Sequence, residues 1–491
     1  MNSFKKIAAI VLVFLLFLSL SSCDNDETND VPQDLEVQNF TWKGLNLYYL
    51  WQAEVNDLQD AKFKTQAALN AHLDNYADPR VLFESLLFER GTKKKLGVTD
   101  RFSWFIEDYI TQENAFQGIA ETTGIEFGLL RINNSTNIYG AVRYVIPGSD
   151  AAIKNVQRGA LFTAVNGNTL TDSNFRNLLY GDNLELTLNF ADFNNGDPQL
   201  NGNSITLTKT LVKENPIHKQ VIHEIGGKKI GYLMYNAFTR GYDQELNDAF
   251  GYFKTEGIDE LVLDLRYNGG GSVQTATYLA SMITGQFTGE LFAKERWNHK
   301  WMEYFKNNKP DYILNNFVNR MEDNTVINSL NLPSIYILTS SRSASASELI
   351  INGLLPFIDV KMIGETTYGK HVGSVTIYDS TNYTREKANP NHHYAMQPIV
   401  LEMLNKLGEN SKTGFEPTIP LSEYYGNLGS LGSPTEPMLA AAIQLITSSG
   451  KVSPTKPSPY FMSQKTVSDS NELSPIGMNM FIDKALPQFQ Q

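Results

Sequence analysis

Four short apolar runs stand out along the chain: Lys229-Ile230-Gly231-Tyr232-Leu233-Met234-Tyr235, Leu261-Val262-Leu263-Asp264-Leu265, Ile335-Tyr336-Ile337-Leu338 and Val360-Lys361-Met362-Ile363. Short continuous apolar runs bounded by turn signals read as strands buried on both faces. The third runs into a serine-rich turn and then an apolar segment beginning Leu349-Ile350, which predicts strand, tight turn and helix. After the fourth, Val372-Gly373-Ser374-Val375-Thr376-Ile377-Tyr378 alternates as a strand does. Strands interleaved with helices predict an α/β core over residues 213–450. Upstream, residues 122–212 carry short alternating strands and one short helix. Residues 39–121 read as helical, from the patterns Leu45-Tyr48-Leu50-Trp51 and Val81-Leu82-Leu86-Leu87. A chain of 491 residues is too long for one core, so these segments are expected to be separate domains. Residues 451–491, rich in Ser and Pro, read as a tail with little structure. No internal repeat is present.

The N-terminus adds a compartment. Lys5-Lys6, an apolar run from 7 to 18 and small residues up to Cys23 make an export signal over residues 1–22. Leu20-Ser21-Ser22-Cys23 resembles a bacterial lipoprotein cleavage box, in which Cys23 is lipidated; a buried or chance cysteine is the other reading. Cys23 is the only cysteine, so no disulfide or thiolate metal site arises. Removal of residues 1–22 takes away Lys5 and Lys6 and moves the net charge from −12 to −14. So acidic a chain argues against a nucleic-acid partner. Residues 23–38 open on Asp24-Asn25-Asp26-Glu27 and read as a disordered acidic tether to a membrane. The stretch also resembles acidic tags that export lipoproteins to the surface of some diderm bacteria.

Three segments carry chemistry. Ser343-Ala344-Ser345-Ala346-Ser347-Glu348 opens the predicted helix. There a serine hydroxyl could attack a carbonyl while free N–H groups hold the resulting oxyanion. The same residues also satisfy a capping box, Ser345-x-x-Glu348, which does no chemistry. Gly364-Glu365-Thr366-Thr367-Tyr368-Gly369-Lys370-His371 offers a lysine beside glycine. It also matches most of a phosphate-binding loop, but His371 replaces the magnesium-binding hydroxyl and a strand pattern follows where a helix is needed. Asp264-Leu265-Arg266-Tyr267-Asn268-Gly269-Gly270-Gly271 ends a strand in three glycines, either an ordinary turn or a backbone that approaches a ligand closely.

In order and spacing, these three segments resemble the C-terminal processing (tail-specific) protease family, with its D-L-R-x-N-x-G-G, S-A-S-A-S-E and T-x-G-K motifs. The resemblance implies a crotonase/ClpP-like α/β core, a PDZ-like domain over 122–212, and a serine endopeptidase that cleaves polypeptides near their C-termini. It assigns Ser345 as nucleophile, Lys370 as general base, and the N–H groups of Gly270 and Ala346 as oxyanion hole. Ser374 stands four residues after the lysine, where relatives often orient it with glutamine. Phe127-Gly128-Leu129 resembles the loop that captures a peptide's C-terminal carboxylate, though Gly159-Ala160 replaces the usual Gly-Asp nearby. A small β domain that only braces its neighbour is the other reading of that region. Asp100-Arg101-Phe102-Ser103-Trp104-Phe105, Thr413-Gly414-Phe415-Glu416-Pro417 and Glu436-Pro437-Met438-Leu439 resemble further family segments. The lysine must be neutral to act as base, so burial has to lower its pKa by several units. His371 is expected to point to the other strand face and stays outside the catalytic set. The seven histidines form no H-E-x-x-H pair, and neither metal nor cofactor is expected. A ligand-binding lipoprotein on the same fold, without cleavage, is the alternative function; an adaptor that delivers substrates would be a further partner.

Overall fold

The computed structural model describes residues 31–89, 100–133, 135–194, 196–448, 466–471 and 477–486. The expected signal peptide and Cys23 lie outside them. A 3-10 turn at Gln33–Leu35 leads into helix α1, Glu36–Tyr48, so residues 33–38 of the segment expected to be a tether are helical. Leu35, Phe40, Leu45 and Tyr48 are buried, and that apolar stripe outweighs the polar composition around it. The N-terminal region is not a free-standing domain either. Tyr48 stacks on Trp301, and Trp104–Ile106 pairs antiparallel with Ala395–Gln397 of the core.

The small β domain is a sheet of β1 (Ile125–Arg131), β2 (Ile138–Val145), β3 (Leu161–Val165), β4 (Glu185–Asn194) and β5 (Asp197–Thr208) in that order, all neighbours antiparallel. Its own core includes Phe127, Leu129, Val142, Phe162, Leu188 and Leu207. Phe127, Gly128 and Leu129 therefore lie within a strand and not in a loop.

The central sheet of the core runs β6 (Ile217–Ile225), β7 (Lys228–Tyr235), β8 (Glu260–Asp264), β12 (Ser334–Thr339), β13 (Asp359–Gly364) and β16 (Ile419–Pro420). Only β6 is antiparallel to its neighbour. Because side chains alternate, Leu261, Leu263, Ile335 and Ile337 face one cluster with helices α3 (Val273–Ile283) and α4 (Ala346–Leu354). Val262, Tyr336 and Leu338 face a second with α5 (Pro437–Thr447). Helix α2 (Asp243–Glu256) joins β7 to β8 and ends on Gly257 in the left-handed conformation, φ 65°.

A second sheet covers the far side of α3 and α4. Its order is β9 (Gly271–Ser272), β18 (Met480–Phe481), β14 (Val372–Ser374), β15 (Ile399–Asn405), β10 (Leu291–Trp297) and β11 (Leu314–Asn316). The region expected to be an unstructured tail thus supplies β18 here and β17 (Thr466–Asp469) on the edge of the small β domain. Between the domains, fully buried Arg266 binds Asp264, Glu423 and Glu436, while Arg158 of the small domain reaches Glu423 and the Tyr267 hydroxyl. Each buried charge has an opposite partner, as burial requires.

Candidate active site

Strand β12 ends at Thr339, and residues 340–345 carry the backbone to the start of α4. Ser345 occupies the turn with φ 67° and ψ −115°, a conformation costing a non-glycine residue about 1–3 kcal/mol. Its neighbours hold it there. The Ser343 hydroxyl donates to the Leu265 carbonyl at 2.8 Å and accepts from Ser340 N–H, and the Ser347 hydroxyl donates to the Asn268 carbonyl at 3.0 Å. Of the three serines in the motif, only Ser345 keeps an uncommitted hydroxyl: it is buried and finds no hydrogen-bond partner among the described residues.

Glu348 binds this turn to the lysine loop. Its carboxylate accepts from the N–H groups of Ser345 (2.9 Å), Gly369 (2.7 Å) and Lys370 (2.8 Å) and from the Thr367 hydroxyl (2.6 Å). Burial raises its pKa, against the pull of these donors. The capping-box arrangement of Ser345 and Glu348 is present at this helix start, with the carboxylate making the strong half of it through the Ser345 N–H. Glu348→Ala would leave four buried donors unsatisfied. The variant is expected to lose about 3 kcal/mol or more of stability together with its catalytic geometry, measurable as a fall in Tm and in kcat.

Lys370 is fully buried, and desolvation lowers its pKa from 10.5 to about 7. Asp100 and Glu348 oppose that lowering by their charge. The N-terminal segment builds this environment: Nζ lies 4.7 Å from the centre of the Phe102 ring, and Asp100 accepts the N–H groups of Phe102 and Ser103 at 2.9 Å. The link between Asp100 or Phe102 and the lysine leaves no trace in the sequence, because partners some 270 positions apart share no local pattern. Ser345, Glu348 and Lys370 line one cavity with Leu349, Met403 and Phe415; its free volume of about 10 Å³ suits roughly one water molecule. His371 also borders it, with Nε2 3.4 Å from Glu402 Oε1.

The glycine turn packs directly under the serine. Gly270 has φ 114°, and a side chain on it would meet Ser345 Cβ at 2.6 Å and Ala346 N at 3.0 Å. Gly270 and Ala346 are thus adjacent as the oxyanion assignment needs, but the Gly270 N–H donates to Asn268 Oδ1 at 2.8 Å in this arrangement. Ser374 does not contact the lysine. Its hydroxyl donates to Asn479 Oδ1 and the Met480 carbonyl, both 3.1 Å, and accepts from buried Gln397 at 3.0 Å. In this arrangement two acceptors of the tail, the Asn479 amide oxygen and the Met480 carbonyl, engage the hydroxyl expected to orient the lysine. Lys370 Nζ itself donates to the Met478 carbonyl at 2.8 Å. The strand Val372–Ser374 after the lysine rules out a phosphate-binding loop, whose lysine must lead into a helix.

Known families and proteins match this chain over parts of its length. The family model for the Peptidase family S41 domain matches residues 229–396, which hold the serine turn, the lysine and the glycine turn, and the Peptidase S41 N-terminal domain matches residues 36–104. Residues 229–396 thus carry the match to a Peptidase family S41 domain. Among curated S41-type relatives, it is 25% identical over 167 residues to the carboxyl-terminal-processing protease of Picosynechococcus, covering 34% of this chain and 35% of that one. It is 24% identical over 296 residues to a CtpA-like serine protease of Staphylococcus aureus, covering 58% and 54% of the two chains. The chain therefore matches between about a third and a half of the length of these relatives. An S41 protease from Bacteroides fragilis has the same fold, with a TM-score of 0.63 at 23% identity over 86% of this chain and 99% of that one. Among the described residues no helix is long and apolar enough to cross a membrane, and no group of three acidic, histidine or cysteine residues could hold a metal.

Proposed function

We propose that this chain is a lipid-anchored serine endopeptidase of the S41 type, in a bacterial envelope, that cleaves polypeptides near their C-termini. One observation carries the reading: an uncommitted, buried Ser345 hydroxyl borders the same small cavity as Lys370, whose burial brings its pKa to about 7. Neutral Lys370 takes the Ser345 proton as the oxygen adds to the scissile carbonyl. The N–H groups of Gly270 and Ala346 hold the oxyanion, which asks Gly270 to exchange Asn268 for substrate. The lysine ammonium then protonates the departing amine, and water, deprotonated by the same lysine, frees the acyl-enzyme. In this reading the PDZ-like domain presents chain ends along β1, and Cys23 carries the lipid.

Incubation of the purified full chain with an unfolded protein, followed by mass spectrometry of the products, tests it. Fragments cut near the C-terminus are expected, with free C-terminal substrates cleaved faster than amidated ones. Intact substrate after long incubation would leave the non-cleaving ligand-binding lipoprotein as the better reading.

A further inference from the structure

Two strand edges, one on the small β domain and one in the core beside the lysine strand, are both paired by residues from 466–471 and 477–486 of this same chain. On the small β domain, Thr466, Ser468 and Asp469 pair with Leu130, Leu129 and Gly128 of β1, and Ser470 exchanges hydrogen bonds with Phe127 in both directions. The Asp469 carboxylate, 2% exposed, is held by Arg143 at 3.2 Å and Arg342 at 2.5 Å. In the core, Met480 and Phe481 form β18 between the glycine turn and the lysine strand, with Met480 opposite Gly271 and Phe481 opposite both Ser272 and Ser374. The Ile482 N–H donates to the Ser374 carbonyl at 3.1 Å, and the Met478 carbonyl takes the Lys370 Nζ.

Main-chain pairing to an open strand edge is how proteins take up extended peptides of varied sequence. While the lysine donates to Met478, the Ser345 hydroxyl finds no partner among the described residues. We propose that residues 466–471 and 477–486 are an intramolecular ligand: this chain's own tail sits strand-for-strand where a polypeptide substrate binds, and it holds the site at rest until a substrate displaces it. The proposal rests on the peptidase reading for what is regulated, but the occupancy of the cleft is a separate matter. A tethered strand competes at an effective concentration in the millimolar range, so weak peptides are excluded while a chain that engages both edges at once can win.

The test uses the full chain and the rate at which a small fluorophosphonate labels Ser345, a readout independent of proteolysis. Ile482→Pro removes the N–H that bonds Ser374. It is expected to label at least tenfold faster than the parent, and excess synthetic peptide of sequence 477–486 is expected to slow it again. Equal labelling of two equally folded proteins would overturn the proposal. Should Ile482→Pro fail to fold, hydrogen exchange on the parent decides. Amides 480–482 are expected to exchange faster when unfolded polypeptide is added while those of α4 do not; unchanged exchange at 480–482 is the contrary result. Faster labelling without cleavage of any polypeptide would uphold the tail assignment and sink the peptidase reading. Equal labelling with normal cleavage by both proteins would do the reverse.

Discussion

Ser345→Ala is expected to abolish cleavage, with a fall in kcat of at least ~10⁴-fold, while Tm stays within a few degrees of the parent. Among the described residues the hydroxyl it removes finds no hydrogen-bond partner, so its loss is expected to cost little stability. Ser343→Ala and Ser347→Ala invert the pattern. Each deletes a hydroxyl bonded to a buried carbonyl, Leu265 or Asn268, and is expected to cost about 1–3 kcal/mol of stability with a much smaller loss of turnover. Parallel measurements of Tm and kcat on the three variants separate the roles. Equal losses of turnover from all three, with the fold kept, would show that the wrong hydroxyl has been assigned.

Lys370→Arg is expected to be as inactive as Lys370→Met, because a guanidinium cannot give up its proton at any usable pH. With the lysine near 7, kcat/KM is expected to rise between about pH 6 and 8 and then level off; a lysine at its ordinary 10.5 would still be rising at pH 9. The stability effect has a definite sign. The unfolded chain keeps this proton up to about 10.5 and the folded protein only up to about 7. The unfolded state therefore binds more protons in that window, and stability gains with rising pH across it. Every tenfold weakening of proton binding on folding costs on the order of 1.4 kcal/mol at neutral pH, so Lys370→Met is expected to be no less stable than the parent at pH 7. A large drop in its Tm, or a pH profile without an inflection near 7, would remove Lys370 as the base.

The central strands were legible because a parallel sheet covered on both faces demands uninterrupted apolar residues, as at Leu261-Val262-Leu263 and Ile335-Tyr336-Ile337-Leu338. The motifs around Ser345 and Lys370 were legible for a related reason: tight turns, a helix start and a buried carboxylate restrict residue type strongly. Strands of four and two residues leave no such trace. Thr466–Asp469 and Met480–Phe481 are held by main-chain pairing to distant partners, within a region whose Ser and Pro content suggests no structure. Composition misled at Gln33–Leu35 as well, where the acidic stretch hid the apolar anchor Leu35. For Ser374 the missing information was the competitor: nothing near residue 374 announces that Asn479 and Met480 will claim its hydroxyl.

The pairing of Gly271 with Met480 also bears on the order of folding. More than two hundred residues separate the partners, and contacts so far apart in sequence form slowly. Strands β9 and β14 both precede in sequence the strand that lies between them, so a folding chain is expected to bring its serine and lysine together beside an unfilled gap. Closure of that gap is expected to come late in folding, and any peptide that reaches it first competes with the chain's own strand.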